Sequence, residues 1–214
     1  MERQCGVLGH QQERHLLNMR TQGGFSVVEI VVVLAIMAVL LGLGLPSYRT
    51  YIANQRVMST AEVFMAGLQM ARAEAVKLNQ RVEFIMTTVD PIAANVDTTT
   101  TSTTGRSWMV RVLVAGGNTF VEGKSGAEGS GAASAANSPI AITGSIASVT
   151  FDGFGAPVGL AAPATFDFTN PQAGNCVGDT PAGPVRCLRV RLSRGGQTRM
   201  CDPAVASTDT RACG

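Results

Sequence analysis

The chain has 214 residues, 45% of them hydrophobic, and a formal net charge of only +2, so its informative features are local rather than global. Both histidines, His10 and His15, precede Gly24, and no Ser-x-x-Lys, Walker or dinucleotide signature stands in a supporting context. This speaks against imidazole-based catalysis and nucleotide chemistry beyond Gly24, and we assign no catalytic residue, cofactor or metal. Asp152, Asp167, Asp179, Asp202 and Asp209 are scattered through turn-like sequence and read as turn or cap residues.

Residues 1–24 read as a leader. It holds Cys5 and both histidines, and Met19 offers a shorter start that leaves only Met19-Arg20-Thr21-Gln22-Gly23-Gly24. In either version Arg20 favours a cytoplasmic N-terminus by the positive-inside bias. From Val27 to Leu45 the sequence is apolar except for Glu29. At about 1.5 Å per residue this run makes a helix of roughly 28 Å, close to the hydrocarbon thickness of a bilayer. A carboxylate in such a span costs on the order of 2.5 to 3.5 kcal/mol at mid-membrane and less near an end, so Glu29 needs a partner or a function. A signal anchor with a stray acid is the plainer alternative. A secretory signal peptide fits worse, because here the small residues come before the apolar run.

Gly23-Gly24-Phe25-Ser26-Val27-Val28-Glu29 resembles the processing site of type IV prepilins. The resemblance implies that prepilin peptidase cuts between Gly24 and Phe25 and that Phe25 becomes N-methylated. It also implies that Glu29 faces the N-terminal amine of a neighbouring subunit in the filament core. Pro46, just after the run, is expected to bend or loosen the helix.

Helical patterning continues beyond the span. Val57, Ala61, Phe64, Leu68, Ala71, Ala75 and Leu78 recur at steps of three and four and draw one apolar stripe, with Arg56, Glu62, Gln69, Arg72, Glu74 and Lys77 off it. Such a stripe is a packing surface. The segment from Ala71 to Val82 resembles the helix end and first-strand entry of the GspH/FimT family of minor pilins and pseudopilins, as does Val149 to Pro157 with its aromatic and glycine turn.

After Arg81 the predicted elements are strands at Val82–Met86, Trp108–Val114, Ser148–Phe151, Ala164–Phe168, Cys187–Leu192 and Thr198–Cys201, all rich in branched and aromatic residues. The threonine tract 98–104 and the Gly/Ala/Ser stretch from Gly123 to Ser138 read as surface loops. The implied organisation is α+β. A leader (1–24) precedes a transmembrane and assembly helix (25–52), an amphipathic helix (53–81) and a periplasmic antiparallel β domain (82–214).

Cys176, Cys187, Cys201 and Cys213 all lie on the predicted periplasmic side, and an even count in an oxidising compartment reads as two disulfides. Three connectivities are open. Cys176–Cys187 and Cys201–Cys213 are favoured because each closes a short loop, and Cys187–Cys201 is the chief competitor. Zinc fits poorly, since there is no paired Cys-x-x-Cys knuckle. Calcium near Asp202 and Asp209 is weakly supported, since the oxygen ligands are few and irregular.

The C-terminal segment is the basic end of the chain. In Leu188-Arg189-Val190-Arg191-Leu192 the alternation puts arginines on one face, and Ser193 to Gln197 reads as a hairpin turn projecting Arg194. A solvated or subunit-facing surface is the plain interpretation of Arg189, Arg191, Arg194 and Arg199. Capture of an anion or DNA is the functional one. DNA-binding members of the family resemble one another in a C-terminal Gly-Arg-x-Arg motif. The corresponding stretch here is Gly196-Gln197-Thr198-Arg199, with glutamine at the first arginine position.

The resemblance implies a structural, non-catalytic minor pilin or pseudopilin of a type IV pilus or type II secretion filament, acting near the tip and in assembly initiation. The alternative is a DNA-uptake pilin using the basic hairpin. The implied partners are other pilin or pseudopilin subunits, the inner membrane, prepilin peptidase and DNA. The implied location is a single pass of the inner membrane.

Overall fold

The computed structural model of the chain describes residues 24–128, 130 and 133–213, without the side chains of 43–46. The leader up to Gly23, Met19 included, therefore lies outside the described residues, as does the Pro46 side chain on which the expected bend rests. The described residues divide into two units, one up to Gly42 and one from Leu43 onward.

One long helix, α1 (Val27–Leu78), begins in the first unit and ends in the second. It closes through a Schellman motif: the Asn79 N–H donates to the Val76 carbonyl at 3.4 Å and the Gln80 N–H to the Ala75 carbonyl at 3.3 Å. Asn79 adopts the required left-handed conformation with φ +49°. Asparagine tolerates it better than most residues, which explains why the helix stops there and the chain turns into the first strand.

In the second unit eight strands follow: β1 (Val82–Thr87), β2 (Ser107–Val112), β3 (Thr119–Lys124), β4 (Ala141–Gly144), β5 (Ser148–Phe151), β6 (Ala164–Thr169), β7 (Leu188–Leu192) and β8 (Thr198–Cys201). They form two four-stranded antiparallel sheets, ordered β3-β2-β1-β5 and β4-β6-β7-β8. The helical stripe packs on both. Val57, Ala61, Phe64, Leu68, Ala71 and Ala75 are all buried in one core with Phe84 and Val110 of the first sheet and Phe166, Phe168 and Val190 of the second. Phe64 is its hub, with ring centroids 4.9 Å from Phe84, 4.9 Å from Phe166 and 5.3 Å from Phe168. Each fully buried side chain of this size stabilises by about 1.5 to 3 kcal/mol relative to exposure.

Several expectations need correction. Leu78 is 42% exposed rather than part of the buried stripe, because it is the last helical residue, where the chain has begun to turn away. The stretch Gly123–Ser138 is not all surface loop. Gly123 and Lys124 pair with Met109 and Trp108 in β3, and Ser130 and Ser138 are buried. Glycine is required at 123, since a Cβ would lie 2.2 Å from the Pro91 carbonyl oxygen. Within the threonine tract, Thr99 is buried with its hydroxyl on the Asn95 carbonyl at 2.6 Å. Asp167 is no turn residue, since it lies within β6. The strands absent from the sequence prediction, β3 and β4, are both sheet edges.

Candidate assembly helix and basic hairpin

In the first unit the helix offers no polar face. From Val27 to Leu41 the large apolar side chains are between 50% and 80% exposed, Phe25 is 80% exposed, and Glu29 is the one charged residue between Gly24 and Gly42. A helix that is apolar all round belongs in a protein core or a bilayer. Among the described residues no single helix is long and apolar enough to cross a membrane, whereas Val27–Gly42 taken with Ser47–Leu78 meets the criterion. Glu29 stands in the first turn, where the unpaired N–H groups of the helix start favour a carboxylate. Phe25 and Ser26 precede the helix, and the Ser26 carbonyl accepts the Ile30 N–H at 3.2 Å.

At the other end of the chain the arginines share one sheet face but not one role. Leu188, Val190 and Leu192 point into the core, leaving Arg189 and Arg191 on the outer side of β7. Arg189 is opposite Asp167 in register and binds it through two hydrogen bonds of 2.6 and 3.1 Å. That fork matches the carboxylate geometry and neutralises the charge. Arg191 is opposite Arg199, a like-charge pair that would destabilise the ladder if left alone. Both side chains instead reach the terminal loop. Arg191 donates to the Cys213 carbonyl, and Arg199 donates to the carbonyls of Thr210 at 2.6 Å and Ala212 at 3.1 Å. Arg194 alone projects from the β7–β8 turn, exposed and without a hydrogen bond or ion pair among the described residues. Gly196 closes that turn at φ +76°, and a Cβ there would lie 2.4 Å from the Gly155 carbonyl oxygen.

The cysteines form Cys176–Cys187, with Cα atoms 5.5 Å apart, and Cys201–Cys213, at 5.1 Å. The second closes the loop on which Arg191 and Arg199 pull. Asp202 and Asp209, weighed as calcium ligands, are each held by an arginine: Arg186 Nε lies 2.7 Å from Asp202, and Arg211 Nη2 2.8 Å from Asp209. The side-chain hydrogen bond from Arg211, reinforced by its backbone N–H, holds the Asp209 carboxyl down at about 2.

Residues 60–196, most of the second unit, match the model of the type II transport protein GspH family, and residues 19–45 match the prokaryotic N-terminal methylation motif. The chain belongs to the GspH family. It is a pilin-like structural subunit, a minor pilin or pseudopilin. Fimbrial protein Q of Moraxella bovis is 26% identical over 105 residues, covering 49% of this chain and 66% of that protein, just under two thirds of its length. The solved type IV minor pilin FimU of Pseudomonas aeruginosa superposes with a TM-score of 0.45 at 16% identity, covering 72% of this chain and 93% of that one. The minor pseudopilin EpsH of the type 2 secretion system of Vibrio cholerae gives 0.43 at 14% identity, covering 71% and 99%.

Sequence reasoning identified the arginine face but not its partners. Asp167 is 22 positions from Arg189, and the terminal carbonyls reach Arg191 and Arg199 only because the chain folds back after β8. The one available signal was an aspartate at an outward position of a neighbouring predicted strand.

Proposed function

We propose that this chain is a membrane-anchored minor subunit that enters a type IV pilus or type II secretion filament and helps to start its assembly near the tip. Prepilin peptidase removes the leader after Gly24, Phe25 becomes the methylated N-terminus, and the second unit is displayed in the periplasm. The observation that carries this is the all-apolar helix surface from Val27 to Leu41 with Glu29 as its one charge, inside a segment matching the methylation motif. The carboxylate pairs with the Phe25 amine of a neighbouring subunit, which removes two charges from apolar surroundings at once. The intact mass of the membrane form tests it. The expected species begins at Phe25 with one added methyl group, and a mature protein beginning elsewhere in cells with active peptidase would refute the reading.

The exposed, unpartnered Arg194 supports a second reading, DNA capture by the hairpin. Since Arg189 is neutralised and Arg191 and Arg199 hold the terminal loop, the reading now rests on about one free phosphate contact. It predicts weak binding whose logarithm falls with log salt at a slope of about 0.9, against the roughly 3 to 4 that phosphate contacts from all four arginines would give.

A further inference from the structure

A groove of about 500 Å³ opens between α1 and the loops that precede β4 and follow β6, lined by Tyr48, Arg49 and Arg56 on the helix and by Pro139, Asn170 and Gln172 opposite. Arg49 and Arg56 are seven residues apart, hence on one face and about 10 Å apart along the axis. Within reach of two such long side chains a single anion can be held from both sides. Most described arginines already have partners: Arg72, Arg106, Arg111, Arg186, Arg189, Arg191, Arg199 and Arg211 each bind a carbonyl or carboxylate. Arg49 and Arg56 have none among the described residues.

The groove therefore offers two uncommitted guanidinium groups for an anion, the chemistry of a phosphate ester.

We propose that this groove binds the headgroup of an anionic glycerophospholipid, with the phosphate between Arg49 and Arg56. The inference rests on the membrane-anchored reading. Residues 48–56 follow directly on the apolar run in the chain, Tyr48 and Tyr51 are 63% and 58% exposed, and tyrosine and arginine in that position are characteristic of the membrane–water interface. Under the proposed topology both arginines stand on the translocated flank, where positive charge is disfavoured without a reason. Guanidinium forks bind phosphate oxygens bidentately, which makes arginine better suited here than lysine.

The test uses the full mature protein extracted in mild detergent, analysed by native mass spectrometry during titration with phosphatidylglycerol or phosphatidylcholine. The expected result is one phosphatidylglycerol adduct, formed at least about ten-fold more tightly than the phosphatidylcholine adduct. The preference should be lost in Arg49→Gln/Arg56→Gln and largely retained in Arg49→Lys/Arg56→Lys. Glycerol 3-phosphate should compete. Equal uptake of both lipids, or an unchanged preference in the glutamine variant, would overturn the proposal. Displacement of phosphatidylglycerol by a hexaglutamate peptide at lower concentration than by glycerol 3-phosphate would assign the groove to an acidic protein segment and overturn it too. The same spectrum reports the N-terminus: a methylated Phe25 with no lipid preference rejects this inference alone, whereas a different N-terminus rejects the pilin reading.

Discussion

Replacing Cys201 and Cys213 together by serine should both destabilise the second unit and release its arginines. The disulfide closes a loop with a sequence separation of 12. In the chain-entropy account a loop of that length stabilises by about 3 kcal/mol, through restriction of the unfolded chain. In the native state the loop is held independently by Arg191 and Arg199 and by the 2.8 Å bond from the Asp202 N–H to the Arg211 carbonyl, so the fold should survive. With a urea dependence of about 2 kcal/mol/M, the unfolding midpoint of a fragment of residues 53–214 should fall by about 1.5 M. Trp108, the one tryptophan, is 4% exposed and stacked on Phe84, so its emission reports the transition.

The second readout concerns the hairpin. Once the loop loosens, Arg191 and Arg199 are no longer committed to its carbonyls, and the salt slope for duplex DNA should rise from about 0.9 to nearly 3. A shifted midpoint with an unchanged slope would mean that these arginines are not held from phosphate by the loop. An unchanged midpoint would refute the entropic account of the disulfide itself.

Glu29→Ala should leave the precursor inserted and cleaved, because the span becomes more apolar, while incorporation into filaments falls; normal incorporation measured by filament immunoblot would exclude the proposed amine pairing. Gly67→Ala adds a Cβ only 2.7 to 2.9 Å from the Trp108 ring. Helix propensity favours alanine by about 1 kcal/mol, but overpacking a rigid ring costs about 1 to 3, so the midpoint should drop and the Trp108 emission shift. For Asp209, the folded carboxyl sits at about 2, below its ordinary value, so its contribution is present at pH above about 4 and lost as the pH falls toward 2. Hydrogen exchange of the 202–213 loop should accelerate across that window, and Asp209→Asn should abolish the pH dependence.

What was legible in the sequence was whatever a few neighbouring residues determine. Gly24-Phe25 and Glu29 in an apolar run, the helical stripe through Phe64, and the alternation in β7 each declare themselves within a dozen positions. The edge strands did not. β3 reads Thr-Phe-Val-Glu-Gly-Lys and is partly exposed along its length, so no alternation marks it, and Gly123 is there because Pro91 approaches from a distant loop. The partners of the basic face were hidden for the same reason, since a guanidinium group carries no sign of whether a carboxylate, a carbonyl or water will meet it. This changes how a basic hairpin should be weighed. Of its four arginines one is neutralised, two are structural tethers and one is free, so its charge overstates the phosphate contacts it can make. The reverse holds for the groove beside α1. Arg56 reads in the sequence only as part of the polar side of the helix and Arg49 carries no signal at all, yet both line the groove with no hydrogen bond or ion pair among the described residues, which leaves them available to an anion.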